Sequence, residues 1–231
     1  MIKSFPKTLD YLSRYKDELK KRSIKPFLSL RDKIKKAKSK NDRERAEEEL
    51  DKNFYILDNI GTYTFAPYKV VWSEMAGTIS GKALSFACAV VEPINGKPVV
   101  HDHSVRLIPV EKPDEAYYIA GILNSIIARS IIAAYTYEIR QETNIVDFIK
   151  VPKFDPNNNL HKKIADLSKR AHELAKCIYS NNKPDNCKNI DAKKELKKVE
   201  DEIDLAVAEL YGITKEELEG FKELMDILSG K

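Results

Sequence analysis

The chain has 231 residues, 33% of them charged, and a formal net charge of only +4. This length allows one sizeable domain or a domain with helical additions. No apolar run reaches the ~20 residues that a membrane-spanning helix needs, and the start lacks the apolar core of a secretory signal. Three widely spaced cysteines do not form a disulfide framework, although Cys177 and Cys187 could join across a loop. We therefore expect a cytoplasmic protein without membrane contact.

Charge is distributed unevenly along the chain. The first 45 residues carry an excess of about ten positive charges, whereas the last forty are acidic on balance. This asymmetry is compatible with nucleic-acid contact on one side, to which Lys33, Lys35 and Lys36 could add non-specific attraction. The alternative is a Lys- and Glu-rich composition of the kind found in proteins from hot environments.

The N-terminal part, residues 1–53, is predicted to be helical. Ser4-Phe5-Pro6 has proline where a helix begins, and apolar residues then recur at helical spacing. Pro26 breaks this segment, and a strongly basic stretch follows. Asn41 is a candidate cap for a second helix that ends near Leu50.

The central part, residues 54–157, contains the predicted strands. Branched and aromatic residues favour strands at 68–73, 84–92, 98–101, 104–109 and 148–151. Gly96 marks a hairpin tip. A long apolar helix runs from Ala116 to Tyr135 and is opened by Pro113 and acidic residues. We predict an α+β fold in which a mixed twisted sheet packs against this helix.

The C-terminal part, residues 158–231, is predicted to be helical again. Apolar residues recur on one face from Asn159 to Ile178 and from Ala192 to Tyr211, as in amphipathic or coiled-coil-like helices. Gly212 fits a helix stop, and residues 214–217 match a capping box for a last helix. Such helices would form a hairpin or arm, within one chain or by self-association of two.

A polar turn joins the long helix to the strand that ends at Pro152. Its side chains can satisfy donors and acceptors on base edges. The candidate readers of DNA are Glu138, Arg140, Gln141, Thr143 and Asn144. A buried helix and strand on either side would hold the turn rigidly. The alternative is an ordinary solvated surface turn.

Aromatic residues cluster before and within the first predicted strand. Tyr63 and Lys69 are expected at the surface, where a ring and a base can contact a nucleotide or the DNA backbone. Phe65 and Trp72 are expected to form core instead. The candidate phosphate ligands are Lys69, Lys150 and Lys153.

Enzyme signatures are missing from the sequence. None of the eight glycines forms a phosphate-binding or dinucleotide loop, and there is no paired-cysteine zinc pattern, nucleophile elbow or His-Glu-x-x-His motif. We predict no catalytic residue and no cofactor in this chain. His101 and His103 could share a metal ion, but no third ligand is evident. A hydrogen-bonded polar connection is the preferred interpretation, and no metal site is predicted.

The segment Asn59-Ile-Gly-Thr-Tyr-Thr-Phe-Ala-Pro-Tyr-Lys-Val-Val-Trp72 resembles the opening of the target-recognition domain in adenine-N6 DNA methyltransferases, above all the Type IIG restriction–modification enzymes. The His101-Asp-His103 connection, the helix with Ala120-Gly-Ile-Leu-Asn-Ser125 and the segment 149–156 follow in the order of that family. Residues 203–217 resemble the helical tail of such proteins. The turn followed by a proline-containing strand is also similar to the specificity subunits of Type I systems.

The resemblance implies a module that recognises a short double-stranded DNA sequence and is non-catalytic by itself. An adenine-N6 methyltransferase domain or subunit would bind S-adenosylmethionine and flip the adenine. The Asn/Asp-Pro-Pro-Tyr/Phe motif of that domain is absent here, so we expect a separate specificity polypeptide or a fragment of a longer enzyme, with or without endonuclease activity. The alternatives are a scaffold, protein-interaction subunit or helical spacer for a methyltransferase or nuclease, and a metal-dependent enzyme that uses His101 and His103.

Overall fold

The computed structural model of the protein describes residues 6–56, 60–74, 86–102, 104–135, 146–180, 187 and 191–228. The chain divides into two compact units, residues 1–61 and residues 62–231. The division into three parts, with boundaries after residues 53 and 157, stays a prediction.

The first unit is helical in its described residues, as the sequence predicts. Its helices are α1 (Pro6–Ser13), α2 (Lys16–Lys20), α3 (Lys25–Lys36) and α4 (Lys40–Lys52). Pro26 lies in the first turn of α3, where its missing N–H leaves no hydrogen bond unmade. Phe27 of this helix is fully buried.

The cap of α4 differs from the prediction. Ser39, rather than Asn41, precedes the helix, and its hydroxyl oxygen accepts a hydrogen bond from the backbone N–H of Asp42 over 3.1 Å. Ser39 has an extended backbone, as an N-cap requires, whereas Asn41 is already inside the helix.

The second unit contains a three-stranded sheet. After a short 3-10 helix (Thr62–Phe65) come the strands β1 (Tyr68–Ser73), β2 (Cys88–Val91) and β3 (Val105–Val110). Their spatial order is β2-β1-β3, and both pairings are antiparallel. Val70 of the central strand faces Val90 on one side and Ile108 on the other. The predicted α+β class is confirmed, with a sheet that is antiparallel throughout its described pairings.

Two predicted strands, 98–101 and 148–151, do not form. Before the first of them, Asn95 and Gly96 have φ angles of 51° and 73°, and the expected hairpin tip closes with a single bridge between Ile94 and Lys97. In the second, the backbone N–H of Ile149 donates to Val146 within a turn, so it is not available to a neighbouring strand.

The predicted long helix is broken into α5 (Pro113–Asn124) and α6 (Ile126–Tyr135), which meet at 59°. Ser125 makes the break, because its ψ of 153° leaves the helical region. Its hydroxyl donates to the carbonyl of Ile122 over 2.7 Å and accepts from the N–H of Ala128 over 3.3 Å. Of the helices described, none alone has the length and apolarity to cross a membrane; α5 and α6 reach that threshold only when taken together across the bend.

The C-terminal helices are α7 (Asn159–Tyr179), α8 (Ala192–Tyr211) and α9 (Lys215–Leu228), close to their predicted bounds. Gly212 ends α8 with a φ of 67°, as expected. The predicted capping box is also present, because the N–H of Thr214 donates to Glu217 and the N–H of Glu217 donates to the hydroxyl of Thr214.

Helices α7 and α8 pack on each other and on α5, and they share one hydrophobic core with the sheet. Val70, Ile122, Ile164 and Val207 represent the sheet, α5, α7 and α8 in this core, and each is fully buried. The C-terminal hairpin is therefore part of the same buried core as the strands.

Cys177 at the end of α7 forms a disulfide with Cys187, with their Cα atoms 5.5 Å apart. The sequence left this pairing open as a weak signal. Cys88 is a free thiol buried at the sheet, and burial raises its pKa.

Candidate nucleic-acid interface

The five predicted base readers, Glu138, Arg140, Gln141, Thr143 and Asn144, lie outside the residues that the structure describes. Both flanks of this segment are described. On the N-terminal side, Ile132 of α6 is 1% exposed. On the C-terminal side, Ile149 is 9% exposed and belongs to the same core.

The chain that follows the polar segment is held by hydrogen bonds to α7 and α8. The hydroxyl of Tyr211 donates to the carbonyl of Lys150 over 3.1 Å. The backbone N–H of Asp155 donates to Nδ1 of His161 over 3.0 Å. Because His161 is buried in the first turn of α7, its ring holds the end of this segment against the helix.

Three rings hold the same segment against α5. Tyr118, Phe154 and His161 pack together, with ring centroids 4.7 Å apart for Tyr118 and His161 and 5.3 Å apart for Tyr118 and Phe154. Burial raises the pKa of Tyr118 to about 12. Its hydroxyl has no hydrogen-bond partner among the residues described. Such ring contacts stabilise beyond the area they bury, by about 0.5–1.5 kcal/mol each.

Lys150 and Lys153 are exposed on this anchored segment. The hydrogen bond from Tyr211 uses only the carbonyl of Lys150, so it does not occupy the ammonium group. Two exposed amines three positions apart on a fixed backbone are available to phosphate oxygens. Their predicted role stays a prediction.

The position expected for Lys69 is wrong. Only 1% of this residue is exposed, and its Nζ donates to the carbonyl of Ala66 over 2.7 Å. Burial lowers the pKa of the amine. The side chain folds back on the turn that leads into β1, so it does not reach the surface where a phosphate would lie.

The aromatic residues before β1 are arranged differently from the prediction. Trp72 is core as expected, at 2% exposure, but Phe65 is 57% exposed and Tyr63 is 38% exposed. The small residues Thr64 and Ala66, which alternate with these two rings in the sequence, are buried. The alternation of aromatic and small residues is visible in the sequence, but it does not show which set faces inward. Phe65 is thus an exposed aromatic residue that sequence analysis assigned to the core.

The described residues contain no group of three metal-ligating side chains. His101 contacts the carbonyl of Asp102 through Nδ1 at 2.7 Å, while its buried Nε2 lacks a partner in the described part of the chain. His103, the other histidine of the pair, lies outside that part.

In the N-terminal unit, Lys33, Lys35 and Lys36 are exposed on α3. Lys36 pairs with Asp32 over 2.7 Å, whereas Lys33 and Lys35 have no carboxylate partner among the described residues. Only the latter two retain an uncompensated charge for a polyanion.

Comparisons with known proteins give a partial similarity to a solved structure. No protein-family model matches the chain, and neither does any curated protein. A solved structure with related coordinates is that of the Type IIL restriction–modification enzyme MmeI in complex with DNA, at 17% identity and a TM-score of 0.47. The similarity covers 87% of this chain and 26% of the enzyme, so this chain spans roughly a quarter of that enzyme's length. At this TM-score the similarity carries no argument about function.

Proposed function

We propose that this chain is a sequence-specific recognition module for double-stranded DNA, and that adenine-N6 methylation is carried out by a separate domain or subunit that binds S-adenosylmethionine. One observation carries the proposal. Both flanks of the polar segment 138–144 belong to one buried core, through Ile132 on one side and Ile149 on the other. The polar residues thus stand between two stretches of chain that are fixed in the core, as binding residues on loops often do.

The residue types in this segment match the chemistry of a major groove. Arg140 can donate two parallel hydrogen bonds to guanine, and Gln141 or Asn144 can pair with adenine in the same manner. Lys150 and Lys153, exposed on the anchored chain beyond it, would contact phosphates and fix the register. Tyr63, on the 3-10 helix before β1, would add a ring contact.

Selection from a random duplex library with the full chain tests the proposal. A preferred sequence should emerge, and Arg140→Ala should weaken binding to it by ~1–3 kcal/mol, about 5- to 150-fold, with little change on scrambled duplexes. Arg43→Ala is the matched control, because Arg43 is paired with Glu47 over 2.9 Å on α4. The control should bind both duplexes like the wild type.

Lys150→Gln and Lys153→Gln should weaken binding to every duplex by the same factor, since phosphate contacts do not read sequence. An equal loss on all sequences for Arg140→Ala would rule out direct readout by that residue. Duplex binding without a steep dependence on salt would favour the alternative of a scaffold for a methyltransferase or nuclease partner.

A further inference from the structure

Three lysines form a straight stripe on the exposed side of α7. Lys162, Lys169 and Lys176 are all exposed and are spaced seven residues apart. Seven residues turn an α-helix to within about 20° of two full turns, so the three side chains project from the same face. The Cα atoms of successive lysines are about 10.5 Å apart. The stripe extends over about 21 Å of the helix.

Among the residues described, these lysines form no ion pair with a carboxylate. In the ranges described, none of the three has an ion-pair partner within 4.0 Å. Other lysines of this unit do form ion pairs: Lys197 with Asp201 at 3.0 Å, Lys198 with Glu195 at 2.6 Å and Lys222 with Glu219 at 2.7 Å. Glu173 on α7 pairs with Arg170 rather than with a stripe lysine. The same exposed face also carries two carboxylates, Asp166 and Glu173, so its five basic residues exceed its acidic ones by three. The face that bears the stripe is therefore positive on balance.

The helix that bears the stripe is held firmly from its other side. Ile164 and Leu174 of α7 are 0% and 1% exposed, and α7 packs on both α5 and α8. The disulfide at Cys177 fixes the end of the helix one residue beyond Lys176. Little conformational freedom of the backbone would be lost when a ligand binds along this face.

We propose that the Lys162–Lys169–Lys176 stripe binds the phosphodiester backbone of a nucleic acid duplex. Ammonium groups spread over about 21 Å cannot converge on one small anion, so the partner is an extended polyanion. The same length corresponds to roughly six base-pair steps of 3.4 Å each, and duplex DNA carries one charge per ~1.7 Å. The identification of the duplex as DNA rests on the proposed function.

The chemistry of the exposed face argues against a membrane surface as the partner. From Lys162 to Lys176, every exposed residue of α7 is charged. A helix that lies in a lipid interface needs apolar side chains on its outward face to insert among the acyl chains. Over this range the apolar residues Ile164, Leu167 and Leu174 are buried or packed against the core, and the exposed Tyr179 lies beyond it at the end of α7.

The test measures duplex affinity as a function of salt for the full chain. In the triple variant Lys162→Gln, Lys169→Gln, Lys176→Gln, the slope of log affinity against log salt should fall by about 2 to 3, since each phosphate contact contributes ~0.9. Between 50 and 200 mM salt the wild type should therefore lose about 40-fold more affinity than the variant. The preference for the selected sequence over scrambled duplex should not change.

The matched control replaces the three paired lysines Lys197, Lys198 and Lys222 by Gln. It removes the same number of positive charges, but from lysines that already form ion pairs with carboxylates. Its slope should stay close to that of the wild type. A second variant with Arg at the three stripe positions keeps the charge and should bind like the wild type, which separates charge from folding. Thermal melting of all variants checks the fold.

The outcomes distinguish this inference from the proposed function. If the stripe variant and the paired-lysine control have the same slope while the wild type still prefers one sequence, the inference is overturned and the proposed function stands. If the wild type shows no preference but the stripe variant has a reduced slope, the inference stands alone. A loss seen only with phosphatidylserine vesicles, and not with duplex, would overturn the assignment to nucleic acid.

Discussion

The carboxylate of Asp204 in α8 accepts a hydrogen bond over 2.7 Å from the backbone N–H of Ile126, the first residue of α6. This contact joins residues 78 positions apart and caps the helix that leads to the polar segment. Asp204 is only 8% exposed, and burial raises its pKa to about 6. The hydrogen bond from Ile126 and the nearby charge of Lys197 act in the opposite direction but do not outweigh desolvation.

The raised pKa of Asp204 predicts a specific pH dependence of stability. An unfolded Asp has a pKa of ~3.9, so this group stabilises the fold fully below about pH 4 and loses that contribution as pH rises through about 6. Two pKa units correspond to at most about 3 kcal/mol. Asp204→Asn keeps an oxygen acceptor but does not ionise. We expect it to exceed the wild type in free energy of unfolding at pH 7 and to match it near pH 4.

Urea unfolding of the two proteins at pH 4, 5, 6 and 7 measures this difference. Asp204→Ala is the control that removes the acceptor, and it should be less stable than Asp204→Asn at every pH, by about 1–3 kcal/mol for an unsatisfied buried N–H. Stability curves for wild type and Asp204→Asn that run parallel from pH 4 to pH 7 would contradict the assignment.

His172 predicts a pH effect of opposite sign. Its Nε2 accepts the N–H of Val90 on β2 over 3.0 Å, and its Nδ1 donates to the carbonyl of Ser168 over 2.7 Å. The ring must be neutral to make both bonds. Burial lowers its pKa, assisted by the charge of Lys176, against the opposing effects of the Ser168 carbonyl and Glu92.

Because the folded pKa of His172 lies below that of the unfolded chain, its contribution is present above pH ~6.5 and is lost as pH falls. Between pH 7 and pH 5 the wild type should therefore lose more stability than His172→Gln, which does not titrate. His101→Gln is the control, since it removes a histidine that does not bond to β2. Equal losses for the wild type and His172→Gln would show that the ring is not held neutral.

Helix ends were predictable where the cap is local in sequence. Gly212 ends α8 through its own positive φ, and the hydrogen bonds of the capping box join Thr214 and Glu217, which are only three residues apart. The break at Ser125 was not predictable from hydrophobic pattern, because α5 and α6 read as one apolar run. Ser125 supplies a local cap through the N–H of Ala128, but the N–H of Ile126 is accepted by Asp204, from a helix whose place in the fold the sequence does not give.

The site shows the same division between local and tertiary information. The seven-residue spacing of Lys162, Lys169 and Lys176 can be read from the sequence, but it does not show that Glu173 pairs with Arg170 rather than with one of these lysines. Lys69 looked like a surface base between aromatic residues, yet the turn at Ala66 provides a carbonyl that draws its amine inward. Periodicity predicts which face a residue occupies, whereas its neighbours decide what it can bind.

The disulfide between Cys177 and Cys187 predicts a stability that depends on reductant. Closing a loop of about ten residues restricts the unfolded chain and stabilises the fold by about 3 kcal/mol in the chain-entropy account. Dithiothreitol should lower the urea midpoint of the wild type and leave Cys187→Ser unchanged. Thiol titration of the denatured oxidised chain should find one free thiol, that of Cys88; three free thiols would show that the bond does not form.

Helix α7 packs closely on α5 at Gly121, so replacing this glycine by alanine should have the effect opposite to that expected from helix propensity. A Cβ atom at this position would lie 2.8 Å from Cγ2 of Ile164 and 3.2 Å from its carbonyl oxygen, with the Cβ of Ser168 also at 3.2 Å. Ile164 is β-branched and fully buried, so it cannot move aside easily. Overpacking costs ~1–3 kcal/mol, against a gain of ~1 kcal/mol from replacing glycine in a helix.

Gly121→Ala should therefore lower the free energy of unfolding, by up to about 2 kcal/mol. Gly220→Ala is the matched control, since Gly220 lies inside α9 and a Cβ there meets nothing within 4 Å. That substitution should raise stability by up to ~1 kcal/mol through helix propensity alone. Urea unfolding of the two variants side by side measures the difference, and a stabilising Gly121→Ala would show that α5 and α7 are further apart than the structure places them.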